Sequence, residues 1–98
     1  MLIPKSFEIF GHKIKVKFVK DIAKHGAVGL YEHTQNTIYI QSHIDGNPVP
    51  ESQQLHTFYH ELTHCIYSYL SYWEDNANEQ KVDQIGGCLH QITSTMKY

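Results

Sequence analysis

The sequence predicts a single α+β domain over residues 1–98, in which a small antiparallel or mixed sheet is followed by two helices. Three observations support this class. Apolar and polar residues alternate with a period of two in the first half of the chain, which indicates strands. From Glu51 the period changes to 3.6, which indicates helices. A polar break at residues 74–78 divides the helical half in two.

The strands are predicted from short alternating runs. The first run has apolar residues at every second position, lysines between them and a glycine at the break: Phe7, Ile9, Ile14, Val16 and Phe18, then Lys13, Lys15, Lys17 and Gly11. This pattern predicts a hairpin with one buried face, and the lysine row predicts its solvated face rather than a nucleic-acid surface. Two more strands are predicted at 27–33 and 37–41, joined through residues 34–36.

The helices are predicted from their apolar stripes. Proline suits the first turn of a helix, so Pro48 and Pro50 mark the end of a loop and a helix start. The first helix is predicted to run for about 22 residues from Glu51, with a stripe of Leu55, Phe58, Tyr59, Leu62, Ile66, Tyr69, Leu70 and Trp73. The second carries Val82, Ile85, Leu89, Ile92 and Met96. We interpret both stripes, with Trp73, as core.

Composition limits the classes of partner that this chain is expected to bind. A formal charge of −2 excludes a generic polyanion binder, so we expect no nucleic-acid partner. No apolar run approaches the roughly 20 residues that span a bilayer, and the N-terminus lacks the features of a signal peptide, so we expect a cytoplasmic protein with no membrane partner. Cys65 and Cys88 are interpreted as buried free thiols, with a disulfide or a metal role as alternatives.

The residues with distinctive chemistry lie in the first helix, as His60-Glu61-Leu62-Thr63-His64, an H-E-x-x-H motif. Histidines four residues apart lie on one helix face, so both imidazoles can reach one ion. Glu61 is offset by about 100° and can meet a water on that ion rather than the ion itself. The alternative is a pair of surface histidines.

The second helix offers two carboxylates for the same site. Glu79 and Asp83 are four residues apart and share a face. One of them can be the third protein ligand, while the other accepts the N–H of a ligating histidine and fixes its tautomer. Gly86 and Gly87, one turn further on, would let this helix approach the first one closely.

H-E-x-x-H followed by N-E-x-x-x-D-x-x-G resembles the pattern of the gluzincin metallopeptidases, and the chain is similar to their minimal single-domain members and to small metallopeptidase-like proteins of phages and mobile elements. The matching residues are His60, Glu61, His64, Asn78, Glu79, Asp83 and Gly86, within a resemblance that covers roughly residues 37–92. It implies a zincin-like domain in which His60, His64 and Glu79 bind Zn²⁺. It also implies that Glu61 is the general base and that the substrate is a peptide or protein. Asp83 would accept a hydrogen bond from one of the ligand histidines.

Two functional alternatives stand beside this hypothesis. One is a non-catalytic, zinc-stabilised regulatory or partner-binding module with a zincin fold. The other is a structural or interaction domain with surface histidines. If the 37–41 strand lies at the sheet edge over the cleft, it could pair with an extended peptide.

The remaining candidates are weaker. Larger relatives use Tyr and His side chains to stabilise the oxyanion, and Tyr67, Tyr69 and Tyr72 are candidates for that role here, with packing as the alternative.

His56 lies one turn before His60 and could extend the site. His90 follows Glu79 by 11 residues, about 16 Å along a helix, which is too far to share one ion. The other histidines are predicted at the surface, at strand ends or in loops: His12, His25, His33 and His43.

Overall fold

The computed structural model describes residues 3–22 and 27–98. Strands precede helices, as predicted, and the α+β class is confirmed. The elements are β1 (Ser6–Ile9), β2 (His12–Val19), β3 (Gly29–Glu32), a 3₁₀ turn (His33–Gln35), β4 (Thr37–Gln41), β5 (His43–Ile44), β6 (Asn47–Pro48), α1 (Glu51–Leu70), α2 (Trp73–Ala77) and α3 (Glu79–Thr95). His25 lies outside the described residues.

Four strands form one mixed sheet in the order β1-β2-β4-β3. β1 and β2 are the predicted antiparallel hairpin. At its turn Phe10 and Gly11 have φ values of 50° and 78°, the left-handed pair that a tight two-residue hairpin requires. β4 pairs in parallel with β2 and antiparallel with β3. It is therefore an interior strand, so the condition under which residues 37–41 could pair with a peptide, a position at the sheet edge, is not met.

The core lies between this sheet and α1. Its buried members are Ile14 and Val16 of β2, Ile38 and Ile40 of β4, and Phe58 and Cys65 of α1. Phe18, which the alternation placed on the same buried face, is half exposed. α1 packs mainly over β3 and β4.

α1 begins at Glu51 directly after Pro50 and ends at Leu70, where Ser71 adopts a left-handed conformation (φ 59°). The predicted helix of about 22 residues is thus slightly too long. Trp73 begins the separate helix α2 and is largely exposed, so its assignment to the core is wrong. α2 places the polar break of the sequence beside the last turns of α1.

The apolar stripe of α3 is buried only in part. Val82 is fully buried, whereas Ile85, Ile92 and Met96 are exposed, which corrects their assignment to the core. α3 packs mainly on α1, with a smaller contact to α2, so its neighbours cover only part of its apolar stripe.

Both cysteines are free, as expected, although only Cys65 is buried and Cys88 is exposed. Among the residues described, no helix has the length and apolar character needed to cross a membrane.

Candidate metal centre

Three side chains from two helices converge on one point. His64 Nε2 lies 3.0 Å from Glu79 Oε1, and His60 Nε2 lies 3.1 Å from Glu79 Oε2. One ligand atom from each residue falls within 4.8 Å of the others, an arrangement that can hold a metal ion. The residues that the H-E-x-x-H motif and the downstream Glu predicted as ligands are therefore brought together.

α1 turns the two histidines towards α3. They are four residues apart, and their rings meet edge to face with centroids 5.1 Å apart. Their side chains are 20% and 17% exposed, so they are partly shielded yet open to the cleft. Glu79, the first residue of α3, is more exposed and approaches them from across the groove.

Gly86 allows the two helices to come this close. A β-carbon at position 86 would lie 3.0 Å from the N and Cα atoms of His60 and from the carbonyl oxygen of Tyr59. These are backbone atoms of a helix, which cannot yield as a flexible side chain does. The prediction of close approach is confirmed for Gly86. It is wrong for Gly87, where an added β-carbon would meet nothing within 4 Å.

Asp83 holds His60 from the side opposite the ligand position. Its Oδ1 lies 3.1 Å from His60 Nδ1, where the imidazole N–H can donate to it. With a hydrogen on Nδ1 directed at Asp83, Nε2, the nitrogen that faces Glu79, is the one that can offer a lone pair to an ion. Hydrogen bonds from His60 and His56 hold the pKa of Asp83 below its usual range, against the opposing effect of partial burial. The contact matches the role that the resemblance implied for Asp83.

Asn76 plays the equivalent part for His64, and the sequence analysis missed it. Its Oδ1 lies 2.6 Å from His64 Nδ1, and its amide nitrogen donates to Ser68 Oγ at 3.2 Å. Asn78, which the N-E-x-x-x-D pattern contains, instead caps α3 by accepting from the backbone N–H of Lys81 at 3.0 Å. Asn76 carried no sequence signal beyond lying in the polar break, because its position depends on the turn between α1 and α2.

Glu61 is directed towards the sheet and is almost fully buried. It accepts a hydrogen bond from the backbone N–H of Tyr31 in β3. Burial raises the pKa of its carboxyl group, while the charges of His64 and His60 act in the opposite direction. Gly29 makes room for it, since a β-carbon there would lie 2.4 Å from Thr57 Cγ2 and 3.0 Å from Glu61 Cγ. No sequence pattern singles out Gly29.

These groups open into a cleft of about 570 Å³. α1 and α3 form one wall, with the three candidate ligands and Glu61, and residues 27–31 form the other. Within the described ranges β3 is an edge strand of the sheet. Because the carbonyl oxygen of Val28 accepts from Gln41 N at 2.9 Å, strand alternation turns the backbone groups of Gly29 and Tyr31 outwards, away from β4.

The predicted oxyanion candidates are not in the cleft lining, and other aromatic residues are. Tyr69 packs against the rings of His12 and His33 and donates its hydroxyl to Asn36. Tyr67, Tyr69 and Tyr72 all lie outside the described wall of the cleft, which instead includes Tyr31 and His33. The Tyr31 hydroxyl lies 2.9 Å from His33 Nδ1, and burial raises the pKa of Tyr31 well above its usual range.

The remaining histidines lie around this centre. His56 does not join the ligand group but contacts Asp83, with Nε2 3.0 Å from Oδ1. His90 stacks on Tyr59 with ring centroids 5.4 Å apart and also lies outside the ligand group. His12 and His33 are exposed and His43 is half buried, each at or next to a strand end, as predicted.

Comparisons with protein-family models, curated proteins and solved structures find no match to this chain. The case for function therefore rests on the chain's own residues.

Proposed function

We propose that this chain is a zinc-dependent peptidase of the gluzincin type. His60, His64 and Glu79 hold the ion, and Glu61 is the general base. The observation that carries the proposal is the convergence of the three ligand atoms beside a buried carboxylate in an open cleft.

The chemistry of the donor set supports zinc. Two imidazole nitrogens and one carboxylate oxygen are ligands typical of catalytic zinc sites, which keep a fourth position open. Magnesium and calcium prefer sites built from oxygen atoms, and the candidate ligand group supplies only one carboxylate. Asp83 and Asn76 engage the outer nitrogens of both histidines, the arrangement that orients metal-binding imidazoles.

A zinc ion held by His60, His64 and Glu79 would supply Lewis-acid chemistry to a water molecule and to a carbonyl group. Glu61 then accepts a proton from the attacking water and delivers it to the leaving amine. Burial favours the protonated carboxyl group, which makes Glu61 a better proton acceptor than an exposed glutamate. The N–H of Tyr31 holds the carboxylate in place between the sheet and the cleft.

The substrate is an extended peptide segment. The Tyr31 N–H is bonded to Glu61, but the outward backbone groups of Gly29 and the outward carbonyl oxygen of Tyr31 allow such a segment to add to the edge of β3 along the cleft. A second cavity of about 300 Å³ adjoins the cleft at Val28, His56 and Thr57. Val28, Ile44 and Val49 line this second cavity, so it suits an apolar side chain of the substrate.

The test compares the parent with Glu61→Gln, which keeps the size of the side chain and removes the base. Protein purified without added metal should contain about one zinc per chain in both forms. Cleavage of a mixed peptide library, read by mass spectrometry, should fall at least about 100-fold in Glu61→Gln. Equal cleavage by both forms would refute the mechanism. A parent that binds zinc and cleaves nothing would instead be a zinc-stabilised binding module.

A further inference from the structure

One oxygen of Asp83 contacts two imidazoles of α1. Oδ1 lies 3.1 Å from His60 Nδ1 and 3.0 Å from His56 Nε2. His56 precedes His60 by one helical turn, so both rings reach the same carboxylate from one face of the helix. The motif that predicts the metal ligands does not include His56.

The chemistry of this contact places a hydrogen on one nitrogen of each ring. A carboxylate only accepts hydrogen bonds, so each imidazole nitrogen that meets it carries a hydrogen. His60 therefore carries a hydrogen on Nδ1, and when Nε2 binds an ion instead of donating to Glu79 Oε2, its lone pair is on Nε2, the atom in the ligand group. His56 has its hydrogen on Nε2, and this nitrogen is used by Asp83 and not by an ion.

Asp83 needs more than one contact to stay in this position. Its side chain is 56% exposed, so a single bond to His60 would compete with water and with other rotamers. His56 supplies the second donor on the same oxygen. The ring of His56 has a neighbour of its own, because His90 lies 6.3 Å from it, centroid to centroid, and stacks in turn on Tyr59.

We propose that His56 is a positioning residue of the metal centre, which holds Asp83 against His60 and thereby keeps the His60 Nε2 lone pair directed at the ion. The inference rests on the metal site of the proposed function and not on peptidase activity. It adds a third layer to the site, in which ligand, carboxylate and second histidine are connected in series.

The test uses three variants of the parent. His56→Ala removes the donor, whereas His56→Gln keeps an N–H donor at nearly the position of Nε2. Gln53→Ala is the matched control, an exposed residue one turn earlier on the same helix. Zinc affinity is measured by competition with a chromophoric chelator. The tautomer of His60 is read in the metal-free protein by long-range ¹H–¹⁵N correlation spectra.

We expect His56→Ala to weaken zinc binding by about 3- to 10-fold, less than the 10- to 100-fold typical of removing a ligand's direct partner. His56→Gln should restore most of that loss, and Gln53→Ala should have no effect. The fraction of His60 with its hydrogen on Nδ1 should fall in His56→Ala alone. In an Asp83→Asn background, His56→Ala should have little further effect on affinity, because the contact that transmits its effect has already been altered.

Unchanged zinc affinity and an unchanged His60 tautomer in His56→Ala would overturn the inference, as would an equal loss of affinity in the Asp83→Asn background. Failure of the proposed function gives a different result. A parent that binds zinc without cleaving peptides leaves every measurement above intact. If the parent binds no zinc, the tautomer spectra of the metal-free protein still decide whether His56 acts on His60 through Asp83.

Discussion

Gly86 of α3 lies directly against the backbone of His60 in α1, so that a β-carbon at position 86 would stand 3.0 Å from two backbone atoms of a candidate metal ligand. Gly86 therefore lies at a point where α1 and α3 approach most tightly for a glycine, on the same two helices that carry His60 and Glu79. A change in that contact should affect the fold and the metal site together.

We expect Gly86→Ala to push α3 away from α1. Overpacking of this kind costs about 1–3 kcal/mol of stability, and zinc affinity should fall as well because Glu79 moves with α3. Gly87→Ala is the matched control, since its β-carbon meets only open space. Alanine should stabilise the helix there by up to about 1 kcal/mol. Urea unfolding and zinc competition measure both effects. If the two alanine variants behave alike, the helix contact does not define the site.

Gly29→Ala should disturb the other wall of the cleft. Its β-carbon would lie 2.4 Å from Thr57 Cγ2, so β3 must shift away from α1 and from Glu61. We expect peptide cleavage to fall by more than 10-fold, while zinc content stays near one per chain. Thr57→Ser removes the clashing methyl group, and Gly29→Ala/Thr57→Ser should recover activity. A double variant no better than Gly29→Ala would show that the clash is not the cause.

Asn76 and Asn78 are close in sequence, yet they should respond differently. Asn76→Ala removes the hydrogen-bond partner of His64 Nδ1, so zinc affinity should fall about 10- to 100-fold. Asn78→Ser keeps a side-chain acceptor at the N-cap of α3 and should leave both affinity and stability nearly unchanged. Calorimetric zinc titrations distinguish the two. Loss of affinity in Asn78→Ser alone would instead assign the support of His64 to Asn78.

Removal of the metal should destabilise the protein. Zinc that binds only the folded chain adds about 4 kcal/mol at a 1,000-fold excess over its Kd. A chelator should therefore lower the melting temperature of the parent by several degrees. Glu79→Gln should melt like the chelated parent with or without zinc, whereas Glu74→Gln, an exposed glutamate of α2, should keep the full response. If the chelator removes zinc from the parent and the melting temperature does not change, the predicted stabilisation by zinc is wrong.

The residues of the candidate site were largely predictable because their geometry is local. A spacing of four residues places His60 and His64 on one face of α1 and Glu79 and Asp83 on one face of α3, whatever surrounds the helices. The glycines of α3 were predicted to permit close approach, but sequence could not distinguish Gly86 from Gly87. Only the helix that packs against them decides which one touches a neighbour.

Asn76 and the edge strand were beyond sequence reasoning for the same reason. Asn76 reaches His64 because Ser71 ends α1 in a left-handed turn and α2 folds back along it, a geometry with no periodic signal. The alternation of residues 37–41 predicts a strand but not its neighbours. The parallel pairing of β2 with β4 leaves β3 as the edge strand beside Glu61.

The sequence by itself determined the α+β class, the span of β4, the start of α1 and the residues able to bind a metal, because period, capping and helical spacing act within a few residues of the chain. The tertiary structure alone decided which strand lines the cleft, which asparagine holds His64, and which part of the α3 stripe is buried. Each of these depends on contacts between residues distant in sequence, and the free energy of such contacts comes from the packing of whole elements against one another.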